Sequence, residues 1–398
     1  MSKRFAPFVL VDDNVDQTLP PLVHALGADA VIGIDYPADF DSGSSSNTLG
    51  KIRRASVLLV DHNLMDTKRD HGPLEPLTGS GLLAALPGIA AGHNDSDPAT
   101  QPFRLRADVI YSGKLDQLAS VDLRPGVHSM AAPVLGREHV VARMNNVDWV
   151  LSKSRKDRPP PQEDLAVLSE LAAAVATALR NRKIGTESPE TALRKLMKLS
   201  LRGWGGRAVE QIEDMHPPLQ AIASGDALAA IRWLLHIALP FPGCLHELRD
   251  VALALRLDPA WLRSNDKALL SLSGHIAAAA YSGALSAFQG KRWWKAGIDA
   301  LIWEKTEGRF YDQPVLRSLA KSLTGDSDAK TIDLATPVLV VDEDFRRTDV
   351  VAELDKCVQV QPDDWPPSVE FPWIEIDRVQ RSPRLLSLVV PKDSARVE

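Results

Sequence analysis

Cysteine is scarce: Cys244 and Cys357 are the only two in 398 residues, too few for a disulfide framework. A reducing, cytoplasmic setting is the expectation, and Met1-Ser2-Lys3-Arg4-Phe5 lacks the apolar core of a secretion signal. Long uncharged runs are also rare. Residues 269–288 could span a bilayer by length, but four serines, two glycines and His275 make transfer costly. That segment is expected to be a buried helix, and no membrane partner is expected. No Gly-rich phosphate loop, nucleophile elbow or HExxH stretch occurs. His236, Cys244 and His246 lie near a Pro-rich turn, yet a zinc site needs about four ligands and no second pair accompanies them. No enzyme active site is expected beyond the acidic pocket described below.

What is present is ordinary for a globular chain, 44% hydrophobic and 25% charged. The length predicts two or three domains with ample core. A net charge of −6 argues against a nonspecific polyanion binder.

The informative stretch is Ser56-Val57-Leu58-Leu59-Val60-Asp61. A short all-apolar run suits a parallel strand buried on both faces, and in open α/β sheets chemistry sits just past the carboxyl ends of such strands. Three other runs end in the same manner. Phe8-Val9-Leu10-Val11 runs into Asp12-Asp13-Asn14, Ala107-Asp108-Val109-Ile110-Tyr111 into Ser112-Gly113, and Val147-Asp148-Trp149-Val150-Leu151 into Ser152-Lys153. In order, the strand ends present an acid pair, an acid, a hydroxyl and a lysine. Taken singly, an Asp after a strand is as readily a helix N-cap.

The ordered set resembles the receiver domain of two-component response regulators. The resemblance covers about the first 40% of the chain and implies a flavodoxin-like parallel-sheet domain over residues 1–183. It further implies that Asp61 is the phosphoacceptor, that Asp12, Asp13 and Asp61 hold Mg²⁺ with the Asn63 backbone carbonyl, and that Ser112 and Lys153 contact the phosphoryl group. A histidine kinase or phosphotransfer protein would be the donor. The chemistry agrees: crowded carboxylates need a cation, and Mg²⁺ takes hard oxygen ligands. The chain departs from the family in long inserts at 66–101 and 123–146. Ser154 stands where proline is usual, and Val150 stands where an aromatic is usual.

Beyond Lys153, three prolines at 159–161 precede a helix expected over 163–181, which could extend into a linker or homodimer contact. Residues 187–325 show apolar spacing of helical period, predicting an all-helical output domain. Residues 334–398 are expected to form a small α/β tail, with strands at 336–341, 373–376 and 385–390 and a helix at 349–357. A helix pair around Leu257-Asp258-Pro259 has the shape of a DNA-reading motif. Its second helix offers only Arg263 and Lys267 as cations, so an architectural role is favoured over DNA. Arg292-Trp293-Trp294-Lys295 is a candidate interaction surface, since Trp and Arg dominate protein contacts. The expected function is a response-regulator-like signalling protein in which phosphorylation of Asp61 controls a protein partner through the helical domain. Two alternatives stand: a pseudo-receiver scaffold or adaptor in a multiprotein bacterial complex, and a DNA-binding transcriptional regulator.

Overall fold

Five short apolar runs build the sheet on which the rest is arranged. In a computed structural model they are β1 (Phe8–Asp12), β2 (Val31–Asp35), β3 (Val57–Val60), β4 (Ala107–Ser112) and β5 (Trp149–Ser152). The structure describes residues 7–36, 38–41, 45–64, 78–92, 106–113, 142, 146–153, 162–182, 187–226, 228–288, 290–343, 345, 347–362 and 365–397. The inserts at 66–101 and 123–146 fall largely outside these, as do Ser154 and the prolines at 159–161.

All five strands are parallel, in the order β2-β1-β3-β4-β5, the flavodoxin-like doubly wound order. Parallel neighbours need crossover connections, here α1 (Val15–Leu26), α2 (Ala38–Asp41), α3 (Ser45–Arg54) and α4 (Gly79–Gly92); α5 (Gln162–Arg182) follows the last strand and packs on the sheet. Strand side chains alternate between faces. Phe8, Leu10, Val57, Leu59 and Val109 pack with Leu22 of α1 and Leu171 and Val175 of α5. Val9, Val11, Leu58 and Val60 pack with Ile52 of α3 and Leu82 of α4 on the other face. Covering on both sides explains why these strands are solidly apolar.

The middle of the chain is mainly helical: α6 (Pro189–Leu196), α7 (Gly205–Asp214), α8 (Leu219–Ala223), α9 (Ala229–Trp233), α10 (Leu248–Ala254), α11 (Pro259–Ser264), α12 (Asp266–His275), α13 (Lys295–Thr306) and α14 (Gln313–Thr324). A two-residue ribbon, β6 (Leu245–His246) with β7 (Trp293–Trp294), interrupts the pattern. The buried helix expected over 269–288 stops at His275, followed by a short 3₁₀ turn at Ala277–Ala279. Among the described residues no helix is long and apolar enough to cross a membrane.

A second sheet closes the chain, in the order β10-β11-β8-β9, from β8 (Pro337–Val341), β9 (Arg347–Glu353), β10 (Cys357–Gln359) and β11 (Trp373–Glu375). Two sequence expectations are overturned here. The helix expected at 349–357 is strand over 349–353, where β9 pairs antiparallel with β8 and the β-branched Val350 and Val351 suit a strand, and only a 3₁₀ turn at Leu354–Lys356 is helical. Residues 385–390 are not a strand: Ser382 accepts from Leu385 N at 3.4 Å and caps a helical turn, Pro383–Leu386, that has proline at its start, a start signal legible in the sequence. One connected cluster of buried side chains runs from Phe8 and Trp149 through Trp233 and Phe288 to Trp365 and Leu385. The Trp149 and Phe288 rings meet edge to face at 4.7 Å, a contact worth about 1 kcal/mol beyond area burial.

Candidate metal centre at the carboxyl edge of the sheet

β1 and β3 are direct neighbours, with Val11 opposite Val60. Asp12, the last residue of β1, and Asp61, the first after β3, therefore emerge side by side. Asp13 follows at the turn, and the ligand oxygens of Asp12, Asp13 and Asp61 all lie within 4.8 Å of one another. Asp12 and Asp61 are buried, whereas Asp13 is partly open to solvent. Lys153, just past β5, reaches back across β4: its Nζ lies 2.7 Å from Asp12 Oδ2 and donates to Asp61 Oδ2 at 2.9 Å. Ser112 ends β4 and is buried, and its carbonyl accepts from Lys153 N at 2.9 Å. The Asn63 side chain is exposed, and its backbone N–H donates to the Asp61 carboxyl group.

Local structure holds these positions. Asn14 N donates to Asp12 Oδ1 at 2.8 Å, which fixes that carboxylate as the chain turns into α1. After Asp61 the chain returns at Gly79, whose N donates to His62 O at 2.8 Å. A Cβ on Gly79 would stand 2.3 Å from the Asp61 carbonyl oxygen, so no larger residue fits without displacing the backbone that carries Asp61.

No family model, curated protein or solved structure matches the chain. The site is therefore argued from its own physics.

Three carboxylates face one ammonium. Burial pushes Asp13 up to about 6, with Asp12 and Asp61 adding repulsion and Lys153 opposing. Burial likewise raises Asp61 above the usual carboxylate range, although the Lys153 charge and hydrogen bond pull the other way. For Lys153, burial favours the neutral amine, but the charges of Asp61 and Asp12 outweigh it and hold the ammonium above its ordinary value. Asp12 Oδ2 is buried, and Lys153 Nζ at 2.7 Å is the one cation beside it. Three carboxylates whose oxygens lie within 4.8 Å of one another, with a single ammonium among them, fit a hard divalent cation, so the residues present suit Mg²⁺.

The other sequence candidates fare differently. The interaction surface expected at Arg292, Trp293, Trp294 and Lys295 is corrected: Arg292, Trp293 and Trp294 are all buried, and Lys295 is partly so. Arg292 Nη2 donates to Glu247 Oε1 at 2.9 Å, and Trp294 packs against the rings of Tyr281 and Trp204. A distant carboxylate allows the cation to be enclosed, which local composition does not reveal. In the helix pair around Pro259, Arg263 Nη2 donates to Asp349 Oδ1 at 2.8 Å, so that cation is engaged within the protein. His236, Cys244 and His246 do not gather as a metal group among the described residues, and burial holds the Cys244 thiol up at about 12.

Sequence reasoning missed a second charged set at the opposite edge of the sheet. Arg106 Nε lies 2.8 Å from Asp108 Oδ1, Asp108 N donates to Asp148 Oδ2 at 2.8 Å, and Arg232 Nε of α9 donates to Asp148 Oδ1 at 2.7 Å. It also missed Gly79, whose only signal was its place as the first residue of α4 after the acid loop.

Proposed function

We propose that the chain is a receiver-like signalling protein in which Asp61 accepts a phosphoryl group, with Mg²⁺ held by Asp12, Asp13, Asp61 and the Asn63 carbonyl. The observation that carries this reading is Lys153 bridging Asp12 and Asp61 at the carboxyl edge of a 2-1-3-4-5 parallel sheet. Mg²⁺, when bound, supplies positive charge for the phosphoryl oxygens. An Asp61 carboxylate oxygen attacks phosphorus, the bond from phosphorus to the donor nitrogen breaks, and the donor imidazole leaves as an acyl phosphate forms on Asp61. Lys153 releases the carboxylate oxygen and pairs with the new phosphoryl oxygens, and the Ser112 hydroxyl donates to them. The chain is a phosphoacceptor in this reading and not an enzyme for a separate substrate.

Readout follows from where β5 sits. Lys153 follows β5, and the same strand packs Trp149 on Phe288, while Asp148 just before it binds Arg232 of α9. Moving Lys153 from a carboxylate toward a phosphoryl group biases that contact between sheet and helices. The helical region, carrying the partner interaction, is the proposed output. The test is incubation with acetyl phosphate and Mg²⁺, read by intact mass and by hydroxylamine sensitivity. One added phosphoryl group on the wild type and none on Asp61→Ala is the expected result.

The scaffold reading has an observation of its own: Lys153 already bridges two carboxylates without any phosphoryl group. A wild type that stays unmodified under the same conditions, while still binding Mg²⁺, selects it.

A further inference from the structure

Between the helical region and the second sheet lies a cavity of about 270 Å³. It exists because β8 is incompletely covered. That strand sits inside its sheet, between β11 and β9, yet its Val338 and Leu339 are only half-buried. Leu253 of α10, Phe371 and Trp373 line the same space and are half-buried too. Apolar side chains from a helix, a strand and a loop thus leave one shared gap, of the size and lining of a small-molecule site.

The polar part of the wall is largely closed to a ligand. Among the described residues that line the cavity, Arg249, Asp250, Arg347 and Glu370 carry charge, and Glu370 alone is exposed. Arg347 Nη1 donates to Glu247 Oε1 at 2.5 Å, Arg292 Nη2 to the same oxygen at 2.9 Å, and Arg249 Nη1 to Thr348 O at 3.3 Å. Arg249 Nε and Arg347 Nε and Nη2 are sealed off, so a ligand does not reach them. Asp250 Oδ2 is taken by Glu247 N at 2.9 Å. Glu370 differs: its Oε1 accepts from Gln359 Nε2 at 3.2 Å and from Trp373 Nε1 at 3.0 Å, both neutral donors. Its Oε2 is left as the acceptor that the cavity offers.

We propose that this cavity binds a small uncharged aromatic molecule carrying an N–H or O–H group, its ring among Leu253, Phe371 and Trp373 and its donor on Glu370 Oε2. Charge decides the class. Counting Glu370, the three guanidiniums of Arg249, Arg292 and Arg347 face three carboxylates, so the enclosed set is already balanced. An anion would meet the Glu370 carboxylate, and a cation would add a fourth positive charge beside the three, each at a desolvation cost. A neutral donor gains a charge-assisted hydrogen bond without disturbing that balance. The proposal is independent of what Asp61 does.

The test is calorimetric titration of the full chain with indole, 1-methylindole, indole-3-acetate and tryptamine, which share a ring and differ in donor or charge. Saturable binding of indole at one site is expected, about tenfold tighter than 1-methylindole, which lacks the N–H, and tighter than either ion. Leu253→Trp should abolish indole binding by filling the cavity. Glu370→Gln keeps a carbonyl for Trp373 and Gln359, removes the charge at an exposed position, and should bring indole down to the affinity of 1-methylindole. It carries the test if Leu253→Trp does not fold. No saturable indole binding by the wild type, equal binding of 1-methylindole, tighter binding of either ion, or undiminished indole binding by either folded variant would each overturn the proposal.

Discussion

At the carboxyl ends of the strands three carboxylates share one ammonium; at the amino ends two carboxylates meet two guanidiniums. The strands are the same, so the contrast isolates what charge balance does. The balanced set joins structure to structure: Asp148, buried before β5, accepts from the β4 backbone and from Arg232 of α9 at once. The unbalanced set holds three carboxylates to one ammonium, and repulsion from Asp12 and Asp61 adds to burial in driving Asp13 up to about 6. A surplus of like charge lowers stability and is retained where it binds something. The two edges therefore differ in what removing a carboxylate should do, and that difference can be measured.

The largest expected effect is at the balanced edge. Asp148→Ala strips the acceptor from Arg232 Nε and from the buried Asp108 N together, leaving Arg232 only Asp226 at 3.8 Å, and should lower unfolding free energy by about 2 kcal/mol. Urea denaturation of wild type and variant checks this. A loss no larger than that of an ordinary surface substitution would mean that the helices are held to the sheet by apolar contact alone.

Next in size is the response to cation. Mg²⁺ at ten times its Kd should stabilise the wild type by about 1.4 kcal/mol, provided it does not bind the unfolded chain. Asp12→Asn should erase that gain, and Asp148→Ala should leave it intact. If Mg²⁺ shifts the urea midpoint of Asp12→Asn as much as that of the wild type, the ion is binding somewhere other than the carboxyl edge.

What the sequence made legible is the edge built by adjacency. Asp12, Asp61, Ser112 and Lys153 sit directly at the ends of apolar runs, and parallel pairing then aligns those ends whatever the loops contain. The balanced edge was hidden because its decisive partner, Arg232, lies on a helix 84 residues from Asp148, with no local pattern pointing to it. Arg292 failed in the opposite way: local composition suggested an exposed patch, and a carboxylate 45 residues away enclosed it. Helix was expected at 349–357 because helical and strand tendencies conflict there, and pairing with β8 decided the matter. In each case the missing knowledge was a long-range partner.

A smaller effect, opposite in sign to that of Asp148→Ala, is expected at Asp13. Without metal, Asp13→Asn removes repulsion from Asp12 and Asp61 and should stabilise the protein by about 1 kcal/mol near neutral pH, after discounting for solvent access. A destabilised variant would show that Asp13 is a structural acid like Asp148.

The finest discrimination comes from pH, since one acid at each edge is displaced alike. Burial raises Asp13 from 3.8 to about 6, and burial also raises Asp108 from 3.8 to about 6 against the pull of Arg106. A carboxyl group whose folded value exceeds its unfolded one binds its proton more tightly in the native state. Its contribution to stability is complete below 3.8 and is lost as pH rises through about 6. Both groups therefore tilt metal-free stability the same way across that window, and a pH series alone does not separate them. Mg²⁺ does. It relieves ionised Asp13 at the upper end and is displaced by protons at the lower end, so excess Mg²⁺ should flatten the Asp13 share of the slope and leave the Asp108 share in place. Urea midpoints from pH 4 to pH 7, with and without Mg²⁺, give the readout. A slope insensitive to Mg²⁺ would assign the whole tilt to the amino edge and remove Asp13 from the cation site.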